Sequence, residues 1–383
     1  MSDFETVIDF GSKNLKLGIF NTESKNIYSS KQKVSDSVEI TLNNLIKDAE
    51  KFLSKHIDNV VVLYDSSKFY SLDISIKKEF DNAISIKKVY NNLIEEAHFF
   101  ISQNNFKDQI LHSIINNIIV DKNKNLIQIT EDIKIKSLIL EMKFICLNKI
   151  LVNEISSIFK RNNLKILNLY CSSYVKSINY KNKFDNKDYI IFLDIGYERT
   201  SGLIFNNYKF EFFKSIPLGG NNITKDISKV LKLNLDYSED LKIKFNKQEN
   251  DKFFNKTDSN ISNPFSEIFE KNISIDLLKQ IIEARVDEII DLAVLQSNNV
   301  KNLNIIVKPK LFFTGGGSQL LYNNYNLSIK KVVSEFKIFN ENDSNACQAG
   351  YNYHQSDESF INKAKKRSKN SGFFESFFNL FTK

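Results

Sequence analysis

The sequence predicts an α/β protein with two lobes that face each other across a cleft. A strand, an Asp-x-Gly turn and a returning strand occur at residues 7–20 and again at residues 192–205, which places a similar unit in each lobe. A third observation is an apolar strand at residues 310–314 that ends in three consecutive glycines. The 383 residues, 42% of them hydrophobic, are enough for two lobes with separate cores.

Each Asp-x-Gly turn is a candidate anion site. Glycine permits a tight reversal of the chain, and the reversal brings backbone N–H groups together in a concave, anion-binding surface. Two such hairpins facing each other would bind one polyphosphate between them. Asp9 and Asp194, at the two turns, would suit a Mg²⁺ ion that keeps most of its waters and needs one or two carboxylates. Either hairpin alone is also compatible with an ordinary turn that binds nothing.

The glycine run after the strand at 310–314 predicts a surface for a flat ligand. Gly315, Gly316 and Gly317 lack side chains, so the backbone can approach a planar group closely. Ser318 could cap a helix that follows. Together the two hairpins and the glycine run predict a nucleotide-binding cleft.

Apolar periodicity predicts the elements of the first lobe in chain order. The hairpin occupies residues 4–30, a helix follows at 38–56, and an apolar strand at 60–64 should join the same sheet. An inserted segment is predicted to contain a helix at 85–99, strands at 111–120, 126–129 and 137–147, and a helix at 148–161. A strand at 162–170 and a helix from residue 172 lead to the second hairpin. Charged runs such as 77–79 are expected on solvated helix faces.

The second lobe is predicted from residue 187 onwards. A Pro/Gly turn at 217–220 leads into a helix, and residues 238–242 have helical spacing with Glu239 and Lys242 on one face. By spacing alone, that pair is also consistent with a surface ion pair. A polar loop at 246–263 and an amphipathic helix within 268–298 precede the glycine run, and a final helix closes the lobe.

Composition argues against several classes of protein. No stretch of about 18 uncharged apolar residues occurs, and residues 2–5 do not have the pattern of a signal peptide, so we expect a cytoplasmic protein. Cys146, Cys171 and Cys347 form no C-x-x-C pair and are expected to be buried free thiols. The net charge of +7 is concentrated at residues 363–370, so the body of the protein is not expected to bind nucleic acid.

The last twelve residues have the pattern of an interfacial amphipathic helix. At about 100° per residue, their large apolar side chains fall on one face and the polar side chains on the other. The segment is too short to span a bilayer but suits its surface, and the preceding basic cluster would be attracted to anionic lipids. Docking of this helix on the protein's own body is the alternative. The membrane-binding residues would be Phe373, Phe374, Phe377, Phe378, Leu380 and Phe381.

The order of the two hairpins and the glycine run resembles the nucleotide-binding superfamily of actin, chaperones and sugar kinases. Three further segments narrow the resemblance to the FtsA family of bacterial cell-division proteins. Residues 216–227 resemble the family's segment after the second hairpin, 238–242 its nucleotide-contacting Glu/Lys helix, and 282–289 its Arg-containing helix near the partner site. The inserted segment also resembles the family's extra subdomain, so the resemblance covers nearly the whole chain.

The resemblance implies an α/β, actin-like two-lobed fold with two phosphate-binding hairpins, an FtsA-type inserted subdomain and a C-terminal amphipathic helix. The implied domains are residues 1–80 (lobe 1, first part), 81–165 (inserted subdomain), 166–186 (lobe 1 return), 187–222 (lobe 2 core, first part), 223–308 (lobe 2 upper subdomain), 309–354 (lobe 2 core and closing helix), 355–371 (flexible basic linker) and 372–383 (amphipathic membrane-binding helix).

The resemblance also implies that ATP and Mg²⁺ bind between the lobes. Glu239 and Lys242 would contact the ribose and base edge, the glycine run would contact adenine, and Asp9 and Asp194 would hold the hydrated metal. The implied nucleotide-binding residues are Gly11, Ser12, Lys13, Asn14, Gly196, Arg199, Thr200, Gly219, Gly220, Glu239, Lys242, Gly315, Gly316 and Gly317.

The second hairpin departs from the family pattern. Where FtsA-like proteins usually have Asp-x-Gly-Gly-Gly-Thr, this chain has Asp194-Ile195-Gly196-Tyr197-Glu198-Arg199-Thr200. Tyr197 and Glu198 restrict the close approach that glycine allows, whereas Arg199 could supply charge to a phosphate. We therefore expect ATP binding with at most weak hydrolysis.

The implied function is that of an adaptor that tethers FtsZ filaments to the inner face of the cytoplasmic membrane at the division site. Implied partners are the FtsZ C-terminal tail, further copies of this chain in actin-like filaments, anionic lipids and later divisome membrane proteins. Arg285 is the candidate anchor for the FtsZ tail, although a surface ion pair with Glu288 or another acid is the alternative. Other functions on the same fold are an adaptor or filament of another machinery, such as pilus assembly or an MreB-like cytoskeleton, and an ATPase or kinase.

Overall fold

The computed structural model describes residues 4–35, 37–105, 107–122, 124–126, 128–184, 188–207, 209–247, 275–296, 308–322, 327–331, 333–339 and 342–356. The predicted amphipathic helix at 372–383, nearly all of the predicted linker at 355–371 and nearly all of the predicted loop at 246–263 lie outside these residues.

The first sheet has five strands in the order β3-β2-β1-β4-β9. β1 and β2 form the predicted antiparallel hairpin, β4 pairs with β1 in parallel, and β9 pairs with β4 in parallel. The helix between β3 and β4 begins after Ser37, whose hydroxyl accepts from the backbone N–H of Glu39. The elements are β1 (Phe4–Phe10), β2 (Asn14–Asn21), β3 (Asn26–Lys33), α1 (Val38–Leu53), β4 (Asn59–Tyr64) and β9 (Lys165–Cys171).

The second sheet repeats this arrangement, with five strands in the order β12-β11-β10-β13-β14. β10 and β11 form the second predicted hairpin, which is antiparallel, and β13 pairs with β10 in parallel. The glycine run follows that parallel strand directly. The elements are β10 (Tyr189–Ile195), β11 (Thr200–Asn206), β12 (Lys209–Ile216), β13 (Lys310–Thr314) and β14 (Glu335–Ile338), with helices α5 (Gly220–Leu231), α6 (Leu235–Lys247) and α7 (Ile275–Ile290).

The inserted segment forms a third, antiparallel sheet in the order β5-β8-β6-β7. One helix packs against this sheet, and their apolar side chains form a separate core. A further helix connects this segment to β9. The elements are β5 (Tyr70–Ser85), α2 (Ile86–Asn104), β6 (Asp108–Val120), β7 (Lys124–Leu126), β8 (Lys134–Asn148) and α3 (Lys149–Arg161).

Two helices lie between the first two sheets and join the lobes into one core. α4 (Ser172–Lys181) packs on β9, β10 and β11, whereas α8 (Asn345–Gln355) packs on β1, β2, β4 and α4. A Cβ atom added at Gly350 would lie 2.9 Å from the Val7 side chain, so glycine permits the close approach of α8 to the sheet. The resulting core includes Leu17 and Tyr170 of the first sheet and Phe312 of the second.

Several sequence predictions about elements need correction. The strand predicted at 126–129 is wrong beyond Leu126, where β7 ends. Residues 77–79 are not on a helix but in β5, an edge strand of the third sheet whose exposed side chains alternate with half-buried ones. Because a helix covers only one face of this sheet, charged side chains can point outward from the other face. The strands β5, β12 and β14 were not predicted, and the helix predicted within 268–298 is described as α7 with a π-helical turn at Asp291–Leu295.

Candidate functional site

A cleft of about 830 Å³ lies between the first two sheets, at the carboxyl ends of β1, β4, β10 and β13. Both hairpin turns and the glycine run line it, as the sequence predicts. In open α/β sheets ligands commonly bind at this end of the strands. The predicted residues that line the cleft are Asp9, Gly11, Ser12, Lys13, Asn14, Asp194, Gly196, Arg199, Gly220, Glu239, Lys242, Gly315, Gly316 and Gly317.

The glycine run has a different role at each of two positions. Gly315 has φ +85°, and a Cβ there would lie 2.5 Å from the carbonyl oxygen of Ile195, so only glycine is tolerated. Gly316 is open, because a Cβ there would meet no atom within 4 Å. The run continues as a 3₁₀ helix at Gly316–Tyr322, and the Ser318 hydroxyl donates to the Gly315 carbonyl at 2.7 Å. The open surface at Gly316 is where a flat group can approach the backbone.

The second hairpin turn is held from behind by the start of α5. The backbone N–H of Gly220 donates to the carbonyl of Gly196 at 2.9 Å, and that of Asn221 to the carbonyl of Tyr197 at 2.7 Å. The Thr200 hydroxyl donates to the Leu218 carbonyl at 2.7 Å. These contacts use donors that could otherwise bind a ligand anion.

Two predicted nucleotide-binding residues therefore do not line the cleft. Thr200 is fully buried, and its hydroxyl is used within the second lobe. Gly219 supports the turn, since a Cβ there would lie 2.7 Å from the carbonyl oxygens of Gly196 and Tyr197. Both residues shape the turn without facing the cleft.

Two carboxylates and two cations form a buried cluster at the base of the cleft, which we call the ion-pair quartet: Asp65, Lys176, Asp194 and Arg199. Asp194 Oδ1 accepts from Lys176 Nζ at 2.6 Å and from Thr314 Oγ1 at 3.1 Å, and Oδ2 accepts from Arg199 Nη2 at 2.7 Å. The same guanidinium nitrogen also pairs with Asp65. Only 1% of the Asp194 side chain and 6% of the Asp65 side chain is exposed. The quartet spans both lobes.

Burial and mutual charge set the protonation of the quartet. Burial would raise the pKa of Asp194, but the charges of Lys176 and Arg199 outweigh it and hold this pKa below its ordinary value. Burial raises the pKa of Asp65 to about 6, with Arg199 opposing that shift and Asp194 adding to it. The two carboxylates in turn keep the pKa of Arg199 above its ordinary value despite burial.

Asp194 does not suit the predicted Mg²⁺. Its two oxygens already accept from Lys176, Thr314 and Arg199, which leaves no exposed oxygen for a hydrated metal. Asp9 faces the cleft but accepts from the Ser172 hydroxyl at 3.1 Å. Among the described residues no group of three or more His, Cys, Asp or Glu side chains could hold a metal ion. The residues present therefore do not fit a metal held between Asp9 and Asp194.

The mouth of the cleft is bridged by Lys13 of the first hairpin turn. Its Nζ donates to Glu239 of α6 at 2.5 Å and lies 4.8 Å from the centre of the Tyr197 ring. Glu239 also accepts from Lys242 at 2.6 Å and from Thr224. Burial would raise the pKa of Glu239, but Lys242 and Lys13 lower it to about 2. Both Glu239 and Lys13 thus reach the cleft as parts of an ion pair that joins the lobes.

The Lys242 side chain is buried and makes its hydrogen bonds within the second lobe. Its Nζ donates to the Gly220 carbonyl at 2.8 Å, to Thr224 at 2.6 Å and to Glu239 at 2.6 Å. Burial lowers the pKa of Lys242, with Glu239 opposing the shift. It therefore ties α6 to the first turn of α5 rather than presenting a cation to solvent.

Arg285, the predicted partner anchor, lies on α7 and binds acids of its own chain. It donates to Asp226 of α5 through Nε at 2.5 Å and Nη2 at 3.0 Å, and it also pairs with Glu288. The surface ion pair that the sequence left as the alternative is thus present. A partner carboxylate would have to displace Asp226 to reach the guanidinium in a bidentate geometry.

Two residues of the quartet were absent from the sequence predictions. Asp65 directly follows an apolar parallel strand, β4, and an acid at that position is a recognisable signal because ligands bind at the carboxyl ends of such strands. Lys176 lies on α4 and has no such signal.

None of the described helices is long and apolar enough to cross a membrane. All three cysteines are buried free thiols, as predicted.

Comparison with known proteins extends these observations. Residues 191–328, which contain the second hairpin and the glycine run, match the family of the cell division protein FtsA. The FtsA proteins of Porphyromonas gingivalis (strain ATCC BAA-308 / W83) and Bacillus subtilis (strain 168) are 27% and 31% identical over 153 and 137 residues. Those matches cover 38% and 33% of this chain but only 29% and 28% of the relatives' lengths. The chain is therefore a distant relative of FtsA over part of its length.

Solved structures resemble the chain along nearly its whole length. The PilM-PilN type IV pilus biogenesis complex has a TM-score of 0.57 at 13% identity, covering 89% of both chains. MreB5 of Spiroplasma citri bound to AMPPNP has a TM-score of 0.49 at 10% identity, covering 95% of this chain and 99% of that one. At such identities likeness concerns the fold alone, and the fold of this chain is the mixed α/β actin-like ATPase fold.

Proposed function

From this distant relationship to FtsA, we propose that the chain is an ATP-binding, actin-like cell-division protein. It would tether FtsZ filaments to the inner face of the cytoplasmic membrane at the division site and help to recruit later divisome membrane proteins. The observation that carries the proposal is that the FtsA-like segment, residues 191–328, supplies one side of a cleft lined by both hairpin turns and the glycine run.

The shape of the cleft supports ATP as its ligand. Its volume of about 830 Å³ lies within the range of about 300–1,000 Å³ that is usual for small-molecule sites. The triphosphate would lie between the turn at residues 11–14 and Gly196, with adenine against the open backbone at Gly316. Glu239 would contact the ribose, and Lys242 would hold Glu239 in position. Mg²⁺ is not part of the proposal at Asp194, whose oxygens have internal donors.

We propose at most weak hydrolysis in this cleft. Arg199 is paired with Asp65 and Asp194, so its charge would be little available to a terminal phosphate, and Tyr197 and Glu198 line the cleft where the family usually has glycine. ATP binding would then act by changing the arrangement of the two lobes. A ligand that contacts both lobes favours the closed arrangement, and in actin relatives a closed arrangement supports polymerisation.

The partner and membrane parts of the proposal rest on different segments. Arg285 would contact the FtsZ C-terminal tail after exchange with Asp226, and the apolar residues of 372–383 would lie in a layer of anionic lipids. Those C-terminal residues lie outside the described part of the chain. Filaments of this chain on the membrane would then present many FtsZ-binding surfaces at once.

Two measurements test the proposal. Titration with a fluorescent ATP analogue tests nucleotide binding, and capture of the protein on an immobilised FtsZ C-terminal tail tests the cell-division function. Gly316→Val should weaken ATP binding by more than about tenfold, because the new side chain would occupy open space needed by a ligand. Tyr197→Gly, which removes bulk from the same cleft, is the matched control and should retain binding. Equal ATP affinity of Gly316→Val and wild type would contradict the site, and no retention on the FtsZ tail would contradict the cell-division function.

A further inference from the structure

We propose that Arg199 and Lys176 take the place of a divalent cation at the base of the cleft, so that the lobes come together, and phosphate binds, without Mg²⁺. The statement about phosphate rests on the proposed function. The statement about the metal rests on the described residues alone.

Charge balance is the first argument. Asp65 and Asp194 bring two negative charges to the base of the cleft, and Arg199 and Lys176 bring two positive charges. All four side chains are largely buried, because even the most exposed of them, Arg199, is only 14% exposed. A buried group of carboxylates needs compensating charge, which a metal or internal cations can supply. Here the cations of the chain supply it in full.

Coordination geometry is the second argument. Mg²⁺ requires oxygen ligands in near-octahedral geometry and keeps several of its waters. Asp194 accepts three hydrogen bonds from Lys176, Thr314 and Arg199, and its surroundings leave it 1% exposed. A metal ion at Asp194 would have to displace two cations and would be repelled by them at short range. The present arrangement therefore excludes the metal both by contact and by charge.

The position of the ion pairs is the third argument. Asp65 follows β4 of the first sheet and Lys176 lies on α4, which packs against both sheets, whereas Asp194 and Arg199 belong to the second hairpin. The pair Asp65–Arg199 thus crosses directly from one lobe to the other, and the pair Lys176–Asp194 links the helix between the lobes to the second hairpin. Because these ion pairs already link the two lobes, no metal bridging the lobes through a bound phosphate is needed to hold them together.

Thermal unfolding with and without Mg²⁺ tests the statement about the metal. The melting temperature of the wild type should be the same in MgCl₂ and in EDTA. Arg199→Ala leaves two carboxylates against one ammonium, so it should lower the melting temperature, and Mg²⁺ at ten times its Kd should restore about 2 °C of it. Arg161→Ala is the matched control, since it removes an exposed Arg paired with Glu39 and should show no response to Mg²⁺.

Two outcomes would overturn the statement about the metal. One is a wild-type melting temperature that rises with Mg²⁺, and the other is an Arg199→Ala variant that responds to Mg²⁺ no more than Arg161→Ala. Should Arg199→Ala not fold, electron paramagnetic resonance of free Mn²⁺ decides the question on the wild type. Undiminished free Mn²⁺ signal supports the proposal, and stoichiometric loss of signal overturns it.

A separate titration tests the statement about phosphate. The affinity of wild type for the fluorescent ATP analogue should differ by less than about twofold between MgCl₂ and EDTA, whereas a loss of more than about tenfold in EDTA would overturn it. Absence of binding in both conditions contradicts ATP as the ligand, and thus the proposed function and the statement about phosphate. The thermal and Mn²⁺ measurements would still decide the statement about the metal.

Discussion

At the scale of single residues, His112 shows how burial fixes a protonation state. Its side chain is fully buried in the core of the first lobe. Nε2 accepts from the backbone N–H of Cys171 at 2.8 Å, so the proton of the neutral ring is on Nδ1, which donates to the Tyr353 hydroxyl at 3.0 Å. Burial lowers the pKa of His112 to about 3. The charged form would lose the bond to Cys171 and gain an unpaired buried charge.

The low pKa of His112 in the folded protein predicts that stability depends on pH. The folded pKa of about 3 lies below the unfolded value of about 6.5, so below pH 6.5 the unfolded state binds a proton that the folded state does not. The free energy of unfolding should therefore fall by up to about 1.4 kcal/mol per pH unit from pH 6.5 towards pH 3 through this residue. Urea unfolding at pH 7 and pH 5 measures this fall in the free energy of unfolding.

The comparison variants are His112→Gln, which removes the titrating group, and His56→Gln, a control because the His56 side chain is 91% exposed. The fall in stability between pH 7 and pH 5 should be smaller in His112→Gln than in wild type, and unchanged in His56→Gln. An equal fall in all three proteins would contradict a buried neutral His112.

At the scale of elements, the contact between α5 and α7 decides what Arg285 can do. The guanidinium bridges these helices through Asp226 and also pairs with Glu288 on its own helix. Arg285 is partly exposed, with 24% of its side chain accessible, so solvent weakens these pairs. The bridge therefore orients the two helices more than it stabilises them. Exchange of Asp226 for a partner carboxylate would keep the same bidentate geometry.

The FtsZ tail should compete with Asp226 for this arginine. Asp226→Asn should strengthen binding of an FtsZ tail peptide by a few-fold, because it weakens the internal competitor, whereas Arg285→Glu should weaken binding by more than about tenfold. Fluorescence polarisation of a labelled tail peptide measures both. Folded Arg285→Glu protein with wild-type peptide affinity would show that Arg285 is only a link between helices.

At the scale of the whole molecule, the lobes meet through one core and two sets of ion pairs. α4 and α8 fill the space between the first two sheets, the ion-pair quartet joins the lobes at the base of the cleft, and Lys13 bridges its mouth to Glu239. These contacts join the two lobes within the chain itself. Attachment of this body to a membrane would then depend on residues 372–383, which are outside the described part.

The C-terminal segment should be the membrane anchor. Deletion of residues 372–383, or Phe377→Asp with Phe378→Asp, should release the protein from anionic liposomes, because it removes the apolar face that the interface would bury. The basic residues at 363–370 alone contribute about 1 kcal/mol per charge near the surface, which high salt should screen. Co-sedimentation measures binding. ATP binding should be intact, and undiminished co-sedimentation of the truncated protein would identify another anchor.

The local parts of the cleft were predictable from short residue patterns. Alternating apolar residues around an Asp-x-Gly turn predict each hairpin, and a strand ending in Gly315, Gly316 and Gly317 predicts the loop, because these patterns act over a few neighbouring residues. Their order along the chain was enough to predict two lobes with a cleft between them. β5 was not predicted although Leu72, Ile74 and Ile76 alternate with polar residues and are half-buried against the third core, a pattern typical of a strand. β14 was not predicted because its four residues are too few to show a clear pattern.

Which charged groups meet depends on long-range packing. Arg199 and Asp65 are 134 residues apart and Arg285 and Asp226 are 59 apart, and no local pattern specifies either pair. From the sequence, Asp194 was a candidate metal ligand and Arg199 a candidate phosphate ligand. The fold brings both together with Lys176 in a buried space, where each carboxylate must be neutralised by the nearest cation. Sequence patterns thus specified the turns and the glycine run that line the cleft, and long-range packing specified the ion pairs at its base.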